Sequence, residues 1–172
     1  MHKDFIMTNK ELSITLREEA RFLGLCDEWY GKWVDDCSKD ELINKMYAGI
    51  DFVIEHHWPS NDAIKARFDI NTLRRRNVFV DDKRSFVNAR ESLILGGSNI
   101  TARYNAWQHG VIYVRDDSIL NLTAKNYSFV LVHVYERAVV NAVQEGKARL
   151  AIVKHSSDAT IITSGNVRLR EE

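Results

Sequence analysis

The stretch Phe129–Val143, FVLVHVYERAVVNAV, contains two apolar segments separated only by Tyr135, Glu136 and Arg137. It contains no glycine and no proline. It also lacks an Asn-Gly pair, the dipeptide that is the sequence signature of a tight hairpin turn. The apolar residues alternate with others, as expected for strands whose successive side chains point to opposite faces. Two strands joined so closely without hairpin turn chemistry favour a chain that turns a corner and stacks in parallel on its next coil.

The same pattern continues on both sides of this stretch. From Val111 onward, seven candidate strands begin at intervals of 8 to 11 residues, and polar residues lie between them. Ten candidate strands occur between residues 77 and 172: VFV at 78–80, SLIL at 92–95, NITARY at 99–104, VIYVR at 111–115, ILNLTA at 119–124, FVLVHV at 129–134, AVVNAV at 138–143, ARLAIV at 148–153, ATIIT at 159–163 and VRLR at 167–170. We therefore predict a short β-solenoid over residues 77–172, with corners of roughly 90–120° between strands. A β-sandwich or jelly roll is the alternative.

Residues 1–76 have helical rather than alternating periodicity. Thr8 with Glu11, and Ser38 with Glu41, have the spacing of a capping box, in which each side chain satisfies a backbone N–H at a helix start. Pro59 ends one helical segment and Ser60 begins another. These signals predict four helices between residue 9 and about residue 75. The fold class is therefore α+β, and we expect the helical subdomain to pack on the solenoid and to cover one end of it.

The strand Phe129–Val134 also predicts which side chains face the core. His133 is the ionisable residue of this strand, and a buried histidine without a partner is costly. We therefore expect Leu131 and His133 to face outward, and Val130, Val132 and Val134 to face the core.

Charge and hydropathy weigh against several classes of protein, although a neutral total can still contain a local basic patch. Lys plus Arg and Asp plus Glu both number 24, so the chain lacks the basic excess of a dedicated nucleic-acid binder. No run of apolar residues is long enough for a membrane helix, and the first residues lack the apolar core of a signal peptide. These features predict a cytoplasmic location, or the virion or host cytoplasm for a phage-encoded chain, with no membrane partner.

The residue types of catalytic and metal sites occur without the required spacing. Asp81/Asp82 and Asp116/Asp117 follow predicted strands, where aspartate commonly forms turns. The histidines of the β region are 24 and 22 residues apart, which does not establish a ladder able to hold a metal. We therefore predict no catalytic residue, no metal site and no cofactor.

The segment SILNLTAKNYSFVLVHVYERAVVNAVQEGKARLAIVKHSSDATIITSGNV, residues 118–167, resembles the coils of bactofilin-type and adhesin-head-type β-helices. The layout of the whole chain, including GIDFVIEHHWPS and VFVDD, resembles that of small uncharacterised proteins from gut-bacterial genomes and their phages. The first resemblance implies a short β-helix. Neither resemblance implies an activity or a functional residue.

These observations favour a non-catalytic structural or protein-interaction role, in a protein of phage or mobile-element origin that acts through oligomerisation or partner binding. Tryptophan is enriched at interaction hot spots, so the candidate interaction residues are Trp29, Trp33, Trp58 and Trp107. Zero net charge lowers the electrostatic resistance to self-association, and we expect a homo-oligomer. One alternative is a small glycan-acting β-helix enzyme that uses the four aspartates. The other is a nucleic-acid-binding regulator, a less favoured partner class, that uses Lys65, Arg67, Arg74, Arg75 and Arg76.

Overall fold

The computed structural model describes residues 6–172, and the chain divides into two compact units after Arg76. The helices of the first unit are α1 (Asn9–Phe22), α2 (Asp27–Lys32), α3 (Lys39–Ala48), α4 (Ile50–His56), α5 (Asn61–Arg67) and α6 (Ile70–Arg75). Within the described residues no helix is long and apolar enough to cross a membrane.

The helix starts follow the predicted capping signals. Thr8 and Ser38 each accept a hydrogen bond from the backbone N–H of the glutamate three residues on, whose carboxylate accepts from the capping residue's own N–H. Ser60 caps α5 by accepting a hydrogen bond from the backbone N–H of Ala63. All three predicted N-caps are therefore confirmed.

The predicted number of helices is wrong, for two local reasons. Between the Ser38 cap and Pro59 the predicted count allows one helix, but the chain forms two, because Gly49 ends α3 and begins α4. Glycine is the weakest helix former after proline, so its position explains the break. A further helix, α6, begins at Asp69, whose side chain accepts a hydrogen bond from the backbone N–H of Thr72.

The second unit is a parallel β-solenoid, which confirms the predicted α+β class. Its strands are β1 (Val78–Val80), β2 (Lys83–Val87), β3 (Glu91–Leu95), β4 (Asn99–Tyr104), β5 (His109–Val114), β6 (Ile119–Ala124), β7 (Phe129–Val134), β8 (Val139–Gln144), β9 (Arg149–Lys154), β10 (Thr160–Ser164) and β11 (Val167–Glu171). Odd-numbered strands form one sheet in the order β1-β3-β5-β7-β9-β11, and even-numbered strands form the other in the order β10-β8-β6-β4-β2. All pairings are parallel, which excludes the sandwich alternative for these residues.

Each central coil contains 20 residues and two strands, because His109 pairs with Phe129, and Phe129 with Arg149. With two strands in each coil, every corner must reverse the chain, so the expected angle of about 90–120° is wrong. Residues in the left-handed backbone region make this possible. They recur every ten residues at Asp116, Asn126, Glu136 and Gly146, with φ of 64°, 63°, 54° and 59°. Asp and Asn tolerate this region well, so the corners reverse without Asn-Gly.

Alternate side chains of each strand fill a narrow apolar interior. Val130, Val132 and Val134 are completely buried, while Leu131 and His133 are half-buried on the outer face, which confirms the predicted register. The last residue of several corners is small and also buried, as at Ser98, Ser118, Ser128, Ala138 and Ala148. The buried hydroxyl groups bond to corner carbonyls, for example Ser98 Oγ to Leu95 O at 2.7 Å and Ser128 Oγ to Lys125 O at 2.9 Å.

Strand β2 was not predicted. Its residues, KRSFV, are exposed except for the half-buried Phe86, so they show no alternation of apolar and polar side chains. The strand exists because it pairs in parallel with β4, from Lys83 opposite Asn99 to Val87 opposite Arg103.

Candidate functional site: a tryptophan groove in the helical unit

Three of the four tryptophans meet in one apolar cavity of the helical unit. The cavity has a volume of about 340 Å³, and Trp29, Trp33 and Trp58 contribute to its wall together with Phe52 and Met46. Its volume is within the range of small-molecule and side-chain pockets. This site brings together three of the predicted interaction residues.

A second depression of about 330 Å³ adjoins this cavity. Trp29, Lys45 and Ala48 line both spaces, so they form the boundary between them. We call the two spaces together the tryptophan groove. The exposed Val34 lines the outer part of the groove together with Glu41 and Asn44, so the groove is elongated and its outer part is of mixed polarity.

Hydrogen bonds hold the indole rings at the wall of the groove. Trp33 is buried and its Nε1 donates to Ser13 Oγ at 3.0 Å, while that hydroxyl donates to the carbonyl of Val34 at 3.0 Å. Trp58 Nε1 donates to Glu19 Oε2 at 3.2 Å. The Trp33 and Trp58 ring centroids are 6.3 Å apart, within the range of favourable aromatic pairs. The rings are therefore fixed in position before any ligand arrives.

Glu19 of α1 connects two other parts of the helical unit, α5 and the segment between α4 and α5. Its carboxylate accepts two hydrogen bonds from the Arg67 guanidinium, at 2.9 and 2.7 Å, as well as the bond from Trp58. Burial by itself would raise the pKa of Glu19, but the hydrogen bonds and the charge of Arg67 lower it from its usual value of 4.5. The charged carboxylate is thus the form that the folded unit stabilises.

Replacing Glu19 by Gln should destabilise the helical unit in a pH-dependent way. The lost charge-assisted hydrogen bonds predict a loss of about 1–2 kcal/mol, reduced from the full range because the pair is partly exposed to solvent. Because the folded-state pKa is lowered, this stabilisation is fully present above the unfolded pKa and disappears as the pH falls through the folded pKa. Urea unfolding at pH 7 and near pH 3 measures the difference, and an E19Q effect that grows at low pH would contradict this assignment.

Two charged side chains, Lys45 and Asp51, line the main cavity of the groove. Lys45 Nζ lies 5.2 Å from the Trp33 ring centroid, at cation–π distance, and Asp51 is exposed. The Trp33 ring therefore already has a cation beside it. A ligand of this groove would be mainly apolar, with room for one acidic group beside Lys45.

The predicted basic cluster is not an open cationic face. Arg75 makes two hydrogen bonds to Asp40, at 2.8 and 3.0 Å, and Arg76 bonds to the same carboxylate at 3.1 Å. These bonds lower the pKa of Asp40 to about 2. Arg67 is bound to Glu19, and Lys65 lies 3.6 Å from Asp62. Arg74 is half-buried in the last turn of α6, so the cluster largely serves the helical unit itself.

The four aspartates and the histidines of the solenoid have structural partners. Asp81 accepts a hydrogen bond from the Gly97 N–H at 2.7 Å, Asp116 accepts one from the Gly96 N–H at 2.6 Å, and Asp117 pairs with Arg137 at 2.7 Å. The carboxylate of Asp82 accepts a hydrogen bond from the N–H of Lys83 at 2.9 Å. These contacts shape the corners.

Two of the three histidines of the solenoid do lie together. The ring nitrogens His133 Nδ1 and His155 Nε2 are 2.8 Å apart, whereas His109 lies beside Phe129, with ring centroids 5.7 Å apart. His133 also stacks on Tyr113 in the coil before it. His133 and His155 therefore form a pair, whereas His109 lies beside Phe129 instead. The three histidines do not form one ladder.

The fourth tryptophan, Trp107, belongs to the solenoid. It is 83% exposed and stacks on Tyr127 from the next coil, with ring centroids 6.0 Å apart. It is the most exposed of the four predicted interaction residues.

Comparison with known families, curated proteins and solved structures finds no match to this chain. The tryptophan groove contains further residues that the sequence did not indicate, notably Lys45 and Phe52, and Glu19 holds Trp58 from outside the lining. Only the tryptophans stood out, because a rare large residue repeated in a short helical segment is visible without knowing the fold.

Proposed function

We propose that this is a non-catalytic interaction protein whose tryptophan groove binds an apolar segment of a partner protein. The observation that carries the proposal is the meeting of Trp29, Trp33 and Trp58 in one cavity, with two of the indoles anchored by hydrogen bonds. Fixed aromatic walls lose little conformational entropy on binding, which is why such residues dominate interaction hot spots.

The shape of the groove favours an amphipathic helix as the bound segment. Two adjoining depressions, separated by Trp29 and Lys45, match two apolar anchors on one helix face better than a single compact ligand. Helices that bind grooves use anchors at positions i and i+3 or i+4 for this purpose. An acidic residue next to an anchor could reach Lys45.

The groove can be blocked without disturbing its walls. Ala48 is exposed at the boundary between the two depressions, so Ala48→Arg should fill the groove at little cost to folding. Ala66 is an exposed alanine of α5 that does not line the groove, and Ala66→Arg is the matched control. A library of amphipathic helical peptides, with aliphatic or aromatic anchors at i and i+4, is selected on the wild-type protein.

We expect selected peptides to bind the wild type and A66R equally, to lose at least tenfold in affinity for A48R, and to change the tryptophan fluorescence on binding. Equal binding to A48R, or no selected peptide at all, would refute the proposal. Sedimentation equilibrium of the wild type, A48R and A66R without peptide tests whether the partner is a second copy of the chain. A dimer that A48R converts to a monomer would make a second copy of the chain the partner.

A further inference from the structure

The solenoid has an exposed strip of aromatic and cationic side chains that the tryptophan groove does not explain. The motif aromatic–x–aromatic occurs at Trp107/His109 and Tyr127/Phe129, and the next coil has Lys147 and Arg149 at the same two positions. We call these six residues the aromatic–cation strip. They line a cleft of about 550 Å³ along three successive coils.

The rings in the strip form two columns along the solenoid axis. Trp107 and Tyr127 are stacked, with planes inclined by 26°, and Lys147 Nζ lies 5.4 Å from the Tyr127 centroid. In the second column His109 and Phe129 have centroids 5.7 Å apart. Trp107, Tyr127 and Phe129 are 83%, 56% and 40% exposed, which is unusual for three neighbouring large aromatic residues.

Three cations of this surface, Lys147, Arg149 and Arg168, have no acidic partner within the part of the chain that the structure describes. Residues 77–172 contain 12 Lys and Arg against 10 Asp and Glu, a net charge of +2 that the neutral total conceals. The ion pairs of the solenoid use Arg115, Arg137, Lys154 and Arg170. Among residues 6–172, no carboxylate lies within ion-pair distance of Lys147, Arg149 or the nearby Arg168, which shares a second depression with Arg149.

We propose that the aromatic–cation strip binds single-stranded nucleic acid. Lys147 and Arg149 favour a polyanionic ligand. The exposed rings of Trp107, Tyr127 and Phe129 favour a ligand that has flat aromatic groups. Single strands supply both, since phosphates contact Lys and Arg while bases stack on aromatic side chains. A duplex encloses its base faces. A neutral glycan would supply no anionic group for Lys147 and Arg149.

Fluorescence anisotropy with a labelled oligothymidylate tests the proposal. We expect the affinity to fall with salt with a log–log slope of about −2, for three phosphate contacts at about −0.7 each. Trp107→Ala should weaken binding by about tenfold, the effect of losing one base–aromatic stack. Because Trp107 is exposed, this variant should fold normally. The double variant K147A/R149A should weaken binding and reduce the slope to about −0.7.

The control variant is Arg137→Ala, which removes an exposed arginine that is paired with Asp117 in a corner of the solenoid and should leave binding unchanged. Heparin and a duplex of the same length serve as the other polyanions. Absence of oligothymidylate binding at about 50 mM salt, or equal affinity of W107A and wild type, would overturn the proposal. So would tighter binding of heparin or duplex, because both lack accessible base faces. The triple variant R74A/R75A/R76A must retain binding, since its loss would place the site in the helical unit.

Discussion

Val132→Asp should unfold the solenoid, whereas His133→Asp, one position along the same strand, should be tolerated. Val132 is completely buried in the centre of β7, between Ile112 and Ile152 of the adjacent coils. A carboxylate there would have no partner and no water, so it must be buried as a charge or protonated at a cost. We expect a loss of roughly 4–5 kcal/mol or more, comparable to the whole stability of an ordinary domain.

His133 points to the outer face, where its ring stacks on Tyr113 and bonds to His155. Aspartate in its place would lose these contacts but would remain hydrated, at a cost of about 1 kcal/mol. The β-sheet circular dichroism of both full-length variants during urea unfolding measures the difference. Equal and severe losses would mean that β7 is buried on both faces, and a greater loss from His133→Asp would reverse the assigned register.

Gly110→Ala should be the most damaging single-methyl change in the solenoid interior. A Cβ atom at this position would lie 2.3 Å from Tyr104 Cε1, well inside contact distance. Tyr104 cannot easily move, because it is completely buried and its hydroxyl donates to the carbonyl of Ala89 at 2.6 Å. Burial also raises the pKa of Tyr104 far above its usual value, so the group remains a neutral donor. Overpacking of this kind predicts a loss of about 3 kcal/mol.

A double-mutant cycle identifies the cause of this loss. Tyr104→Leu alone should also destabilise the solenoid, by about 3 kcal/mol, because it removes a buried ring and its hydrogen bond. In the combined variant the smaller leucine leaves room for the alanine methyl group, so the two losses should fall short of their sum by about 2 kcal/mol. Ala102→Gly, a removal of one methyl group from a buried site in the coil interior, is the control, and its effect should add to that of G110A. If the losses of stability in G110A and Y104L simply add in the double variant, the clash with Tyr104 is not the cause of the G110A loss.

Much of the local structure could be read from short-range signals. Thr8, Ser38 and Ser60 determine helix starts within three residues, because the cap and the N–H that it accepts belong to the same turn. Most strands of the solenoid were also predictable, and four of them, β1, β4, β6 and β7, have the predicted bounds. Their inward side chains are mostly aliphatic while the outward ones vary, so the alternation is visible in the sequence itself.

The coil geometry depended on contacts between distant residues. Whether two or three strands make one coil is decided by which residues pair, and the 20-residue register from His109 to Phe129 to Arg149 follows from the positive φ values at every tenth residue. Glu136 occupies such a position although nothing in its side chain favours that conformation. Strand β2 likewise forms only because β4 presents a free edge to it.

The candidate sites also have some features that the sequence indicated and others that only the folded structure brought together. The amino-acid sequence by itself determined the α+β class, the inward set Val130, Val132 and Val134, and the unusual content of tryptophan, since composition and periodicity are properties of short segments. Only the tertiary structure decided that Trp29, Trp33 and Trp58 share a groove, that Arg75 and Arg76 are bound by Asp40, and that Trp107 lies two coils from Lys147. Apart from Trp29 and Trp33, the residues brought together are about 25 to 40 positions apart. Such long-range proximity is set by the packing of whole elements and coils rather than by any local preference.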